Sequence, residues 1–166
     1  MLYRQLIGLW AAAFLLLGSL VGCANQRIAS DLKTYVNDGI LSVADLEARA
    51  LADYAAVVGS NYTSDLAVYQ ALRYQVVPQY ESFLLALKDM APHTREVIQL
   101  HALYVRGAET MLHGFEIKLR GLENGNVALI MEGNAAIEKG RVQTERWRAR
   151  IDTLFKKYAV RPEKRE

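Results

Sequence analysis

The chain has 166 residues, with 20 lysines and arginines against 18 aspartates and glutamates, three histidines and a single cysteine, Cys23. The near-balance of charge gives no long-range field for nucleic acid and no polybasic stripe for a membrane surface. One cysteine excludes an internal disulfide framework. A body of this length needs no such staple, since it buries about two thirds of its unfolded surface in a single domain.

The chain begins with one basic residue, Arg4, followed by an apolar run from Leu6 to Val21 that is broken only by small or hydroxyl residues. That layout is a secretory signal, and the run is shorter than the roughly 20 residues a spanning helix requires. It ends in Leu20-Val21-Gly22-Cys23. The tetrapeptide resembles the lipobox of bacterial lipoproteins, in which a branched apolar residue, a small or apolar one, and Gly or Ala precede the cysteine that is lipidated. The resemblance implies a signal peptide over residues 1–22, cleavage before Cys23, and acyl chains on the Cys23 thiol and on the new amino terminus. Each buried CH₂ of those chains contributes about 0.8 kcal/mol. A free cysteine behind an ordinary secretory signal or an uncleaved anchor is the alternative. Ala24 follows the cysteine, where inner-membrane-retained lipoproteins often carry Asp, so the resemblance favours the outer membrane. Residues 23–30 read as the acylated cysteine and a short tether.

Beyond the tether, breakers fall at Gly59-Ser60-Asn61, Met90-Ala91-Pro92 and Asn124-Gly125-Asn126. The segments between them carry apolar residues at three- and four-residue spacing and no strand-like alternation, which predicts helices over 31–58, 63–89, 92–123 and 126–158. Val36, Ile40, Val43, Leu51, Tyr54 and Val58 line the first, and Leu66, Tyr69, Val76, Tyr80, Phe83, Leu84 and Leu87 the second. Val97, Tyr104, Ala108, Met111, Phe115, Leu119 and Leu122 line the third, and Ile130, Ile137, Ile151, Phe155 and Tyr158 the fourth. Asn61, Thr63 or Ser64 suits the cap of the second helix, Pro92 a first helical position, and Asn124-Gly125 the end of the third. Short turns force neighbours to run antiparallel, so the expected fold is all-α, an up-down-up-down antiparallel four-helix bundle over 31–159. A charged tail over 160–166 closes the chain.

Several residues break the pattern. Pro78 lies inside the second helix and predicts a kink or a split near Tyr74, with a possible pocket edged by Tyr74, Tyr80 and Phe83. Glycines recur seven apart at 107, 114 and 121, and again at 133 and 140. Each costs about 1 kcal/mol against alanine inside a helix. About a turn at residues 124–126, Gly107 comes level with Gly140 and Gly114 with Gly133, which predicts close backbone approach of the last two helices. Clearing space for a ligand is the other reading of the same residues.

On a helical wheel Glu47 and Arg73 fall among apolar neighbours and share a level about a turn near residue 60, as an inward ion pair would. Arg141 and Arg148 flank the fourth stripe with Asn134 and Thr144 near them, and His101 faces the core of the third. Glu47, Arg73, Arg141 and His101 therefore form a candidate interior polar site. They fix helix register on one reading and grip an anionic or polar ligand on the other. Glu109, His113 and Glu116 read as a surface ion cluster. Metal ligation is not expected, because one histidine without donors from a second helix is too few and the Glu-x-x-His pairs of di-iron bundles are missing. Neither a nucleophile and base at catalytic spacing nor a cofactor motif is apparent, and the only prosthetic group expected is the lipid on Cys23.

The functional expectation is a non-enzymatic lipoprotein of the bacterial envelope. It is held to the membrane by its lipid and faces the periplasm, where it binds an envelope protein or braces an assembly. A small-ligand-binding or sensing bundle is the alternative. An open cavity reaching Glu47, Arg73 and Arg141 would favour the ligand, and a dry interior the partner.

Overall fold

A computed structural model describes residues 24–161. The expected signal peptide, Cys23 itself and residues 162–166 of the charged tail lie outside the described residues. Within them the chain is all-α, without a strand, and forms four helical stretches joined by short connections. Helix α1 comprises residues 24–34, a wide π-type turn at Tyr35–Ile40 and a regular stretch at Leu41–Ala55. Helix α2 comprises Asp65–Ala71, a second π-type turn at Leu72–Val76 and Val77–Lys88. Helices α3 and α4 are unbroken over Arg95–Glu123 and Val127–Tyr158.

Residues 24–30, expected as a tether, are helical. The helix includes residues ahead of the expected start at 31, while its buried stripe begins at Leu32, which is fully buried, with Tyr35 and Val36 nearly so. Asp31 ties this end down. Its carboxylate accepts hydrogen bonds from the backbone N–H of His93 (3.1 Å) and of Thr94 (2.7 Å) and from Thr94 Oγ1 (2.6 Å). A residue on α1 thereby satisfies otherwise unpaired donors ahead of the first turn of α3. That helix begins at Arg95 rather than at Pro92.

Pro78 does not break α2. The ladder widens at Leu72–Val76, just before the proline, and the regular helix resumes with Pro78 in its first turn. A proline needs no amide partner there, and the wider turn relieves the clash of its ring with the carbonyl four residues back. The pocket that was the alternative to simple curvature at this proline is not formed by these three side chains. Tyr74 is 71% exposed, whereas Tyr80 and Phe83 are fully buried and pack edge to face at 5.2 Å, with Phe115 at 5.3 Å from Tyr80.

Caps set the other boundaries. Ser64 accepts the N–H of Ala67 at 3.2 Å and Asn126 that of Leu129 at 3.2 Å. The end of α3 has Gly125 at φ +61°, with Asn126 N–H bonded to the Gly121 carbonyl at 2.8 Å and Gly125 N–H to that of Leu122 at 3.3 Å. This pair of bonds is the left-handed helix stop that glycine permits.

Helices α3 and α4 meet backbone to backbone. A Cβ built on Gly114 would lie 2.6 Å from the Ile137 nitrogen and 2.9 Å from the Gly133 carbonyl oxygen. One on Gly140 would lie 2.7 Å from the Met111 nitrogen and 2.8 Å from the Gly107 oxygen. The expected glycine pairs do touch, and each glycine's nearest contact sits one turn further along. The contacts descend in order, Gly107 with Thr144, Gly114 with Ile137 and Gly121 with Ile130, so this pair of helices is antiparallel.

The core fills the space between α1, α2 and α3 and takes in the C-terminal half of α4 through Trp147, Ile151 and Leu154. Leu66, expected on the inner stripe of the second helix, is 63% exposed. The buried stripe of α2 instead runs through Val68, Leu72, Val76, Tyr80 and Phe83.

Candidate functional site

At the centre of the core lies a carboxylate. Glu47 is 7% exposed, and its Oε2 accepts a 2.7 Å hydrogen bond from the Tyr104 hydroxyl on α3. Its Oε1 is buried without a hydrogen-bond partner, as is the hydroxyl of Tyr80 on α2. Burial pushes the Glu47 carboxyl above the ordinary carboxylate range, and the Tyr104 bond and the charge of Arg148 only partly oppose that. A carboxyl in apolar surroundings favours its neutral form.

The surrounding hydroxyls are tyrosines whose acidity burial suppresses. Tyr35, Tyr80 and Tyr104 are all pushed far above the usual phenol range, with the nearby Glu47 adding to the effect on Tyr80 and Tyr104. They stay neutral donors. The Tyr104 ring stacks on Trp147 of α4 at 4.0 Å and 14°. The Trp147 indole N–H is directed toward Tyr35 without reaching full hydrogen-bond geometry.

Of the four residues expected to build an interior site, Glu47 is inside, His101 is at its edge, and Arg73 and Arg141 are outside. His101 sets its ring edge-on to Tyr35 at 5.7 Å, its Nδ1 is buried without a partner, and burial lowers its basicity. Arg73 is exposed and lies 3.7 Å from Glu123 on α3. The expected Glu47–Arg73 pair fails for two reasons. Arg73 belongs to the π-type turn, where the extra residue shifts the phase of a wheel drawn at 3.6 residues per turn. Asp53 meets Gln79 at 2.8 Å, so α1 and α2 pair further along α2 than a tight turn at residue 60 allows. Arg141 lies on the outer face of α4, bonded to Glu138 (2.6 and 2.8 Å) and to Glu145. These are the three- and four-residue pairs of an exposed helix.

Glu109, His113 and Glu116 are on the surface as expected, but they do not form one cluster. Glu109 pairs with Lys88 at 2.6 Å, and His113 lies 3.9 Å from Glu116. Among the described residues, no group of three His, Cys, Asp or Glu side chains is arranged to hold a metal ion, and no helix is long and apolar enough to cross a membrane.

Chemically, the Glu47 cluster offers a carboxyl whose acidity burial weakens and neutral tyrosine hydroxyls packed against aromatic rings. Five depressions of the described surface are lined by other residues, none of them Glu47, Tyr80 or Tyr104. The aromatic spacing marked Tyr80 and Tyr104 as core, but nothing local said that their hydroxyls would meet Glu47. Lys118 is a different omission. It is 7% exposed on α3, between Phe115 and Leu122 of the apolar stripe, and a charged residue at that spacing was a visible signal. The chain matches no protein-family model, no curated protein and no solved structure.

Proposed function

We propose that the protein is a non-enzymatic lipoprotein of the bacterial envelope, anchored through acylated Cys23, with its helices as a periplasmic protein-interaction or scaffold module. The observation that carries this reading is the lipobox, Leu20-Val21-Gly22-Cys23. The arrangement of the helices supports it. Asp53 meets Gln79 while Gly39 faces Met90, and Tyr69 meets Glu123 while Lys88 meets Glu109. Descending contacts of this kind are those of an up-down-up-down bundle.

Helix α1 already includes residue 24, the first of the described residues and the one that follows the proposed anchoring cysteine. The start of α1, the start of α3 that Asp31 holds, and the end of α4 then form the membrane-proximal end of the bundle. The connections at 56–64 and 124–126 lie at the far end, on which Tyr62, Leu66, Val127 and Met131 expose apolar side chains. That end is the surface offered to a partner, and the outer membrane is the favoured address. The ligand-binding alternative built on Glu47, Arg73 and Arg141 loses its residues, because the two arginines face solvent.

Globomycin treatment or Cys23→Ser is expected to leave unprocessed precursor and to abolish lipid labelling. Normal cleavage of the serine variant with unchanged membrane attachment would overturn the anchor. A photo-cross-linker at Leu66 or Met131 in native membranes is expected to capture an envelope protein in a way that one at Leu85, another exposed apolar position, does not. Equal capture at all three would remove the far end as the partner surface.

A further inference from the structure

A groove of about 360 Å³ opens at the far end of the molecule, lined by residues from the α1–α2 connection and from α2, α3 and α4. Val58, Val68, Leu122 and Ile130 form its apolar wall, and Lys118 and Asn134 supply polar groups. Its size falls in the range of small-molecule sites, and the space between helices of a bundle is a usual place for one.

Lys118 gives the groove its chemistry. The ammonium of this buried side chain donates to the Tyr54 hydroxyl at 2.9 Å and lies 5.1 Å from the centre of that ring. It forms no ion pair among the described residues. Burial lowers its basicity, opposed by the charge of Asp65. An ammonium has three donors, and a buried charge is ordinarily paired. A lysine whose stem merely covers apolar surface turns its head outward to water, whereas this one turns it to the Tyr54 hydroxyl beside the groove. Gly133 lets α4 approach the backbone of α3 at this residue, since a Cβ there would lie 2.6 Å from the Lys118 backbone nitrogen. Asp65 also lines the groove, and its carboxylate accepts a 3.1 Å bond from the Tyr62 hydroxyl. Its charge opposes an anion and works against the loss of basicity that burial imposes on the lysine.

We propose that this groove binds a small amphiphilic carboxylate, its acid group paired with Lys118 and its apolar body against Val58, Val68, Leu122 and Ile130. The site goes beyond the envelope reading and does not depend on the lipid anchor.

Titration calorimetry of the full acylated chain in nanodiscs, with empty nanodiscs as the blank, tests it with 4-phenylbutyrate, its neutral amide and inorganic phosphate. Saturable binding of the carboxylate is expected, at least ten-fold tighter than that of the amide or of phosphate. Lys118→Met should erase the preference over the amide, and Asp65→Asn should tighten the carboxylate several-fold. No binding, equal binding of acid and amide, or a preference that survives in Lys118→Met overturns the proposal. Should Lys118→Met fail to fold, Asn134→Trp, a substitution at an exposed position that fills the groove, is expected to abolish binding, and retained binding there overturns it equally.

Discussion

The α3–α4 hairpin and the core around Glu47 solve the same packing problem in opposite ways. In the hairpin, side chains are deleted until backbones touch, with Gly114 and Gly133 each leaving room for the other's carbonyl. Around Glu47 the space is filled with large rings, and Tyr80, Phe83, Tyr104 and Phe115 are all essentially buried. A contact made of backbone has no rotamer by which to adjust. A contact made of aromatic side chains can shift, yet it must satisfy every polar atom carried in with the rings. The first is intolerant of volume and the second of unpaired polarity.

The largest effect should come from adding volume to the hairpin. Gly114→Leu puts its first side-chain atom 2.6 Å from a backbone nitrogen of α4, and overpacking without an escape costs about 3 kcal/mol or more. Chemical denaturation is the measurement, and an unchanged midpoint would mean that the two backbones are not in contact.

An intermediate effect is expected from changing polarity in the core at constant volume. Tyr104→Phe leaves the Glu47 carboxyl with no hydrogen bond and is expected to cost about 1 to 3 kcal/mol, while adding Glu47→Met to it should recover much of that loss. Because burial raises the Glu47 pKa in the folded state above its unfolded value, this group's contribution is complete below the ordinary carboxylate range. It is lost as pH rises through the raised folded value. Wild type should therefore lose stability relative to Glu47→Gln as pH rises. His101, lowered by burial, acts in the opposite sense at acid pH, and it cancels when the two proteins are compared at each pH. A pH-independent difference would place the carboxyl in water.

The smallest effects belong to the two arginines outside the core. Arg73→Ala and Arg141→Ala should each leave the denaturation midpoint almost unchanged, since both side chains are exposed and their ion pairs are screened. A large drop in the midpoint at either position would return it to the interior.

What could be read ahead of the structure follows the range of the interaction. The glycine heptads were legible because the two helices are consecutive and joined by a tight turn, so register followed from counting. The inward position of Glu47 was legible because the helical period holds through Leu41–Ala55. Its partner was not. The π-type turn at Leu72–Val76 shifts the phase of α2, and the α1–α2 connection shifts its level, so a wheel and a count both pointed to Arg73 where Tyr104 is bonded. Lys118 stood in an apolar stripe and was legible in principle, but the groove beside it draws on three helices and the loop between α1 and α2.

The amino-acid order alone determines the helical period, the turn positions, the glycine spacing that a hairpin requires and the tetrapeptide that resembles a lipobox. Each depends on residues within about two turns of one another or on a helix's nearest neighbour in sequence. Only the tertiary structure decides that Asp31 completes the start of α3, that the Tyr104 hydroxyl meets Glu47, and that the Lys118 ammonium meets the Tyr54 hydroxyl. These contacts join residues some 60 positions apart or join several helices at once, and their geometry is set by the phase and stagger of whole helices rather than by any local preference.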